Sequence, residues 1–300
     1  MYGIINLYKE KGITSFKQIN MLKQVFPGMK IGHTGTLDPI AEGVLIVCVG
    51  KATRIADYIQ CQKKVYLTEM ILGLSTDSYD ITGKELSKEP AEDVSNDEIV
   101  NVIKTFIKKQ SQKPPIYSAK KVKGKKLYQY AFENKDVEIK ESNIEILSIE
   151  DININNILYQ DIPMKKISFK VECSKGTYIR SLCHDIGKSL NKYGTMSGLI
   201  RLQVGNFGIS DSKKINEIIN LASEGKINEL LTPIEKAINL RSIYLNLSDV
   251  KKYVNGVKIQ TEYNQNDYII REINDHIIGI GKVDENGILK GKVMLDENYK

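Results

Sequence analysis

Asp38 is the first residue whose surroundings suggest chemistry. It stands in KIGHTGTLDPIAEGVLIVCVG (30–50), between a Gly/Thr-rich turn and an apolar run. An Asp-Pro step alone is ordinary turn chemistry. Here Gly32, Gly35 and Gly43 permit close backbone approach, and His33, Thr34 and Thr36 add polar groups that a plain turn does not need. A carboxylate on a loop fixed at the end of a buried strand is a common form for a catalytic group. The second constellation is CSKGTYIRSL (173–182), in which a Gly turn delivers Tyr178 and Arg180 to the start of a helix. Arg180 is either a surface ion-pair residue or the partner that keeps Asp38 ionised.

A third motif, HDIGK (184–188), imitates the metal motif of HD-type phosphohydrolases. The other histidines, His33 and His276, lie in unsuitable contexts. Leu182, Ile186 and Leu190 share one helical face with His184 and Asp185 off it, so helical packing accounts for the motif better. No role is assigned to His184, and no metal is expected. The fourth is a basic run: from Lys104 to Lys126 there are nine lysines and no acid, interleaved with Tyr117 and followed by Tyr128 and Tyr130. Such a run is either a solvated face or a phosphate-contacting surface, and the aromatics favour the second.

These residues need elements to hold them. SFKQINMLKQVF reads as a helix with Ser15 and Gln18 as its capping box. VLIVCV (44–49) is a β-branched run fit for a central strand, and KVYLTEMILG (64–73) is strand-like. SNDEIVNVIKTFIKK is a helix capped by Ser95 and Glu98, ended by Pro114-Pro115. ISFKVEC alternates, putting Ile167, Phe169, Val171 and Cys173 on one face. DININNILYQD (151–161) reads as a polar connection. After about Arg241 short strands with Gly and Asn-Gly turns predict a small β-rich module.

The chain has 300 residues, 41% hydrophobic and 27% charged, with a net charge of +6. That suits one large globular domain and a small one, with a mild bias toward an anionic partner. The four cysteines show no CxxC pairing, which implies a reducing compartment and no structural zinc. No segment reaches membrane-spanning length, so a cytoplasmic protein is expected.

The motifs, taken together and in order, resemble those of the bacterial tRNA pseudouridine-55 synthases, the TruB family. GHTGTLDPIAEGVL resembles the catalytic motif, and KVYL, YSAKKVKGKKLYQYA and CSKGTYIRSL resemble its other hallmarks. The resemblance runs from the N-terminus to about Pro233. It implies an α+β fold: a mixed pseudouridine-synthase sheet with flanking helices over 1–235, and a PUA-like RNA-binding domain over 240–300. It also implies a basic thumb-like segment at about 104–130, mobile until RNA is bound. By resemblance Asp38 is the nucleophile that isomerises uridine 55 of the tRNA T-loop after base flipping. Arg180 keeps it ionised, Tyr66 stacks on the flipped base and assists proton handling, Tyr178 and Leu199 line the pocket, and His33 helps fill or brace the vacated space. Lys121, Lys123, Lys125, Lys126 and Arg201 are expected at the RNA backbone. The family implies no cofactor, no obligate protein partner and a monomer. The alternatives are the same chemistry on another RNA, or an RNA-folding protein that has lost catalysis.

Overall fold

Period-2 patterning with both faces apolar builds the centre of the molecule, which is a computed structural model describing residues 1–296 and Tyr299. In chain order the main elements are β1 (Gly3–Lys9), α1 (Ser15–Leu22), β2 (Ile31–His33), β3 (Glu42–Val49), β4 (Lys64–Leu72), α2 (Asn96–Lys104), β5 (Lys109–Gln112), α3 (Leu127–Phe132), β6 (Ser142–Tyr159), β7 (Ile162–Cys173), α4 (Ile179–Ser189) and β8 (Gly194–Val204). The strands form one sheet in the order β1-β3-β8-β4-β7-β6-β5, with β2 added beside β3. Most neighbours are antiparallel, but β3 and β8 run parallel, pairing Ile200 with Glu42 and Arg201 with Gly43. The sheet is therefore mixed, as expected.

Residues of β3 alternate between two cores. Leu45 and Val47 pack with Ile19 and Leu22 of α1. Val44, Ile46 and Cys48 face the other way. On the broader part of the sheet, Ile167, Phe169 and Val171 of β7 meet Ile99 and Ile103 of α2 and Leu182 and Ile186 of α4. A sheet covered on both faces has no polar side to show, which is why VLIVCV reads as a continuous apolar run.

The C-terminal region forms a second, five-stranded sheet, ordered Ser242–Leu245, Asn266–Glu272, Ile277–Val283, Ile288–Met294 and Ile259–Gln260. One of its faces closes on the helix Leu247–Val254 through Val250 and Tyr253. The other contributes Ile269 and Ile280 to the cluster that holds Val44 and Ile46. The two sheets thus share one apolar cluster. Among the described residues no helix is long and apolar enough to cross a membrane.

Several local expectations are corrected. Thr14, not Ser15, caps α1, accepting from the backbone N–H of Lys17, and Phe16 is exposed. The α2 helix stops at Lys104, and Lys109–Gln112 is an edge strand on Ser142–Glu145. Residues 151–159 belong to the 18-residue strand β6. A bulge at Asp151, with φ of 53°, resets the register so that Ile152 and Ile154 pack inward and the asparagines project out. Within the basic segment lies a hairpin: Lys121-Val122 pairs with Lys125-Lys126 around a Lys123-Gly124 turn, both at positive φ. That is the geometry a two-residue hairpin demands.

Phe169 is fully buried between β7 and the helices. Phe169→Ala should lower unfolding stability by about 3–5 kcal/mol. Urea unfolding should show a lower midpoint with an unchanged slope.

Candidate active site

The Asp38 loop is fixed by donors from four places in the chain. Ser15 Oγ lies 3.0 Å from both the N–H and the carbonyl oxygen of Leu37. The Gly12 N–H donates to the Pro39 carbonyl at 2.8 Å. Lys9, with no exposed surface, donates its ammonium to the Ala41 carbonyl at 2.6 Å and reaches that of Pro39 at 3.4 Å. Arg201 donates to the carbonyls of Gly35 at 3.0 Å and Val44 at 2.6 Å. Gly43 sits at φ of 103°, and a Cβ there would lie 2.3 Å from the Arg201 carbonyl oxygen, so only glycine lets β8 lie this close. The loop is held before any ligand arrives, as an active-site carboxylate requires.

Arg180, on the first turn of α4, grips the carboxylate of Asp38. Its Nε lies 2.9 Å from Oδ2, and Nη2 donates to Oδ1 at 3.2 Å. This is the two-point geometry that suits guanidinium and carboxylate. The remaining donors go to the carbonyls of Ser78 at 3.1 Å and Tyr117 at 2.8 Å, and Nη1 lies 3.4 Å from Asp80 Oδ2. The Arg180 side chain is 5% exposed and that of Asp38 is 35% exposed, so the carboxylate is accessible from one side only. Burial pushes the Asp38 carboxyl above its ordinary range, Arg180 opposes this, and Asp80 adds to it.

Beside Asp38 lies a cleft of about 870 Å³ lined by Tyr66, Tyr178, Leu199, Arg180 and Arg201. Tyr66 projects from β4 and is nearly buried, and burial raises its phenol. Gln112 fixes Tyr178: its amide accepts from the Tyr178 N–H at 2.8 Å and donates to the carbonyl at 3.0 Å. Lys64, which is buried, and Lys175 also line the cleft. His33 stands on β2 outside the lining. Burial and the charge of Arg201 lower its imidazole, and Nδ1 has no hydrogen-bond partner among the described residues.

Arg201 corrects an expectation. A backbone-contacting arginine belongs at the surface, but this one is 1% exposed and its guanidinium is spent on carbonyls beneath the Asp38 loop. The basic segment makes several side-chain contacts. Lys113 receives a hydrogen bond from Ser181, and Lys120 donates to Ser142 at 2.6 Å. Lys125 pairs with Glu133 and lies over the Tyr130 ring, and Lys126 lies over that of Tyr128. Lys121 and Lys123 are exposed.

Sequence reasoning missed Lys9, Asp80 and Gln112. Asp80 accepts from the Thr82 N–H at 3.0 Å while facing Arg180, so it shapes its turn and holds the arginine together. His184, left without a role, stacks on Tyr79 at 4.0 Å between centroids and 14° between planes. Helix α4 therefore braces the 78–80 turn twice, through Arg180 and through His184. Among the described residues no cluster of three metal-ligating side chains occurs.

The family model described as the TruB family pseudouridylate synthase N-terminal domain matches residues 23–179. That of the tRNA pseudouridylate synthase B C-terminal domain matches residues 180–239. A tRNA pseudouridine synthase B of Clostridium perfringens (strain 13) is 41% identical over 306 residues, covering 99% of this chain and all of that one. The enzyme of that name from Caldanaerobacter subterraneus subsp. tengcongensis is 38% identical and covers 93% of each chain. Among solved structures, the archaeal box H/ACA sRNP Nop10–Cbf5 complex superposes with a TM-score of 0.72 at 23% identity, over 99% of this chain and 88% of that one. A Cbf5–Nop10–Gar1 complex gives 0.73 at the same identity, over 99% and 86%. At that identity the likeness speaks for the fold.

The buried ammonium of Lys9 yields a pH test. Burial depresses it to about 8, below the roughly 10.4 of a free lysine. Between those values the unfolded chain binds more protons than the folded one, so stability from this group rises with pH. Relative to Lys9→Met, the wild type should gain stability from about pH 8 to about pH 10. Parallel denaturant midpoints for the two proteins across that range check this.

Proposed function

The chain belongs to the TruB family of pseudouridylate synthases, and from that premise we infer that it is an isomerase forming pseudouridine in tRNA. We propose further that its target is uridine 55 of the T-loop and that Asp38 is the nucleophile. The observation that carries this is the Asp38 carboxylate, gripped at two points by a buried arginine and open only toward a cleft lined by Tyr66, Tyr178 and Leu199. The reaction breaks the bond from the ribose anomeric carbon to N1 and makes one to C5. One proton leaves C5 and one joins N1, so no electrons are gained or lost. A fixed carboxylate can add to the anomeric carbon, or act through a related intermediate, while the base turns.

The cleft has the size to take a flipped base. Tyr66 and Tyr178 offer aromatic faces for it and Leu199 an apolar edge. His33, outside the lining, helps fill or brace the space that the flipped base leaves in this reading. Residues 1–235 are the catalytic domain, with the hairpin and α3 as its thumb, and 240–300 a PUA-like RNA-binding domain. The T-arm of tRNA is the partner, and the protein works as a cytoplasmic monomer without metal or cofactor.

Asp38→Asn keeps size and turn chemistry but removes the charge, so it should abolish pseudouridine formation while leaving RNA affinity within a few-fold. Mapping modified uridines in tRNA from cells with and without the protein, complemented by either version, tests residue and target together. Modification at position 55 by the variant would remove Asp38 from the mechanism.

The lysines divide by geometry. Lys121 and Lys123 stand exposed at the hairpin, whereas Lys125 is already paired with Glu133. Replacing Lys121 and Lys123 with Gln should flatten the log–log salt dependence of stem-loop binding by roughly 0.7–0.9 for each phosphate that is no longer neutralised. The same change at Lys125 and Lys126 should flatten it less. A salt series on the three proteins decides, and an unchanged slope for the first pair would leave it a solvated face.

A further inference from the structure

Among the described residues, the buried guanidinium of Arg201 has no counter-ion. It lies under the Asp38 loop at 1% exposure, and no salt bridge joins it to a carboxylate there. Its hydrogen bonds to the backbone go to the carbonyls of Val44 and Gly35. Taking such an ion out of water costs several kcal/mol unless something compensates it. Two carbonyl dipoles compensate in part. The residue directly across the antiparallel ladder is Tyr66. Cross-strand partners have Cβ atoms roughly 4.5–5.5 Å apart and project to the same face. Both residues line the cleft that holds Asp38.

We propose that Arg201 is a positioning residue acting through Tyr66: it fixes the phenol in the cleft and favours its phenolate while the uracil C5 proton is transferred. This rests on the pseudouridine-forming reading. The groups that act on the Tyr66 phenol are Arg201 from β8, Cys173 from β7 and Asp38 from the loop. Burial, Cys173 and Asp38 all disfavour the phenolate, and Arg201 favours it. The charge of Arg201 also bears on Lys9, His33 and Lys64, lowering each of them together with burial. The Cys173 thiol, pushed up to about 11 by burial, stays neutral. Tyr66 is thus the group in the cleft whose anion Arg201 is placed to stabilise without competing with Arg180 for Asp38.

The proton step balances. Once C5 is joined to the anomeric carbon, the phenolate takes the C5 proton. The C5–H electron pair becomes the C5–C6 double bond, and the C6–N1 pair moves onto N1. The proton on Tyr66 then returns to N1, directly or through water, and the phenolate is restored.

The test is single-turnover release of tritium from stem-loop RNA carrying [5-³H]uridine, measured against pH. Wild type, Arg201→Lys, Arg201→Gln, Arg201→Met and Tyr66→Phe are compared, together with Tyr66→Phe/Arg201→Gln. Arg201→Met is the second neutral variant, because apolar replacement of a buried ion is often tolerated. The rate should rise with pH in the wild type. The neutral variants should move that rise to higher pH, losing about tenfold in rate near neutrality for each unit of displacement. Arg201→Lys should keep its position. In the Tyr66→Phe background the change at Arg201 should cost nothing more. An equal loss at every pH, or the same further loss without the Tyr66 hydroxyl, would reduce Arg201 to a brace for the loop and overturn the inference alone. A wild type that releases no tritium would overturn the functional reading as well.

Discussion

Arg180 is the joint on which the site depends. One planar guanidinium meets the Asp38 loop, the Ser78 and Asp80 turn, and Tyr117 at the root of the basic hairpin, all from the first turn of one helix. Each of these segments comes from a different part of the chain. Arginine suits the task because its five donors lie in a fixed plane and it stays charged at any physiological pH. A lysine would supply the charge but not the fork. Two carboxylates share this cation, so its charge is divided, and burial still lifts Asp38. Arg180 opposes that rise, so charge and burial act on the Asp38 carboxylate in opposite directions.

Around that joint the structure spends charged side chains on backbone carbonyls. Lys9 and Arg201 both point ions at the underside of the Asp38 loop instead of at water. A loop carries carbonyls that no sheet or helix satisfies, and burying them without donors is costly. Strong cationic donors solve this while adding positive potential beneath a carboxylate. The arrangement also explains Gly43, against which the backbone of Arg201 presses, whereas Gly35 is suited by its positive φ of 89°.

Legibility in the sequence followed periodicity and spacing. The Asp38 and Arg180 segments were visible because each combines glycines, polar residues and an adjoining apolar run. The strands β3, β4 and β7 and the helix α2 were visible through clean periods. Lys9 was not, because a lysine at the end of a strand, followed by Glu10 and Lys11, looks like a surface residue, and only the returning loop gives it most of its acceptors. Asp80 sits in a polar stretch, STDSYD, with no period to set it apart. The strand β6 was hidden by its asparagines, since the bulge at Asp151 breaks the alternation that would have revealed it. Arg201 was misplaced for a general reason: arginines are mostly exposed, and nothing local signals that one is roofed by a loop far away in the chain.

The apolar cluster shared by the two sheets fixes more than stability. Ile269 and Ile280 of the C-terminal sheet belong to the same apolar cluster as Val44 and Ile46, in the strand that leads out of the Asp38 loop. Tyr58, Asp267 and Lys292 add a polar clasp at the rim of that contact. The C-terminal sheet is therefore joined to the part of the molecule that carries Asp38 by packed side chains as well as by the chain itself. Between tethered modules the local concentration of the second site is set by linker length. Here side-chain packing acts beside the linker, so the placing of the two modules is restrained by the fold as well as by the chain.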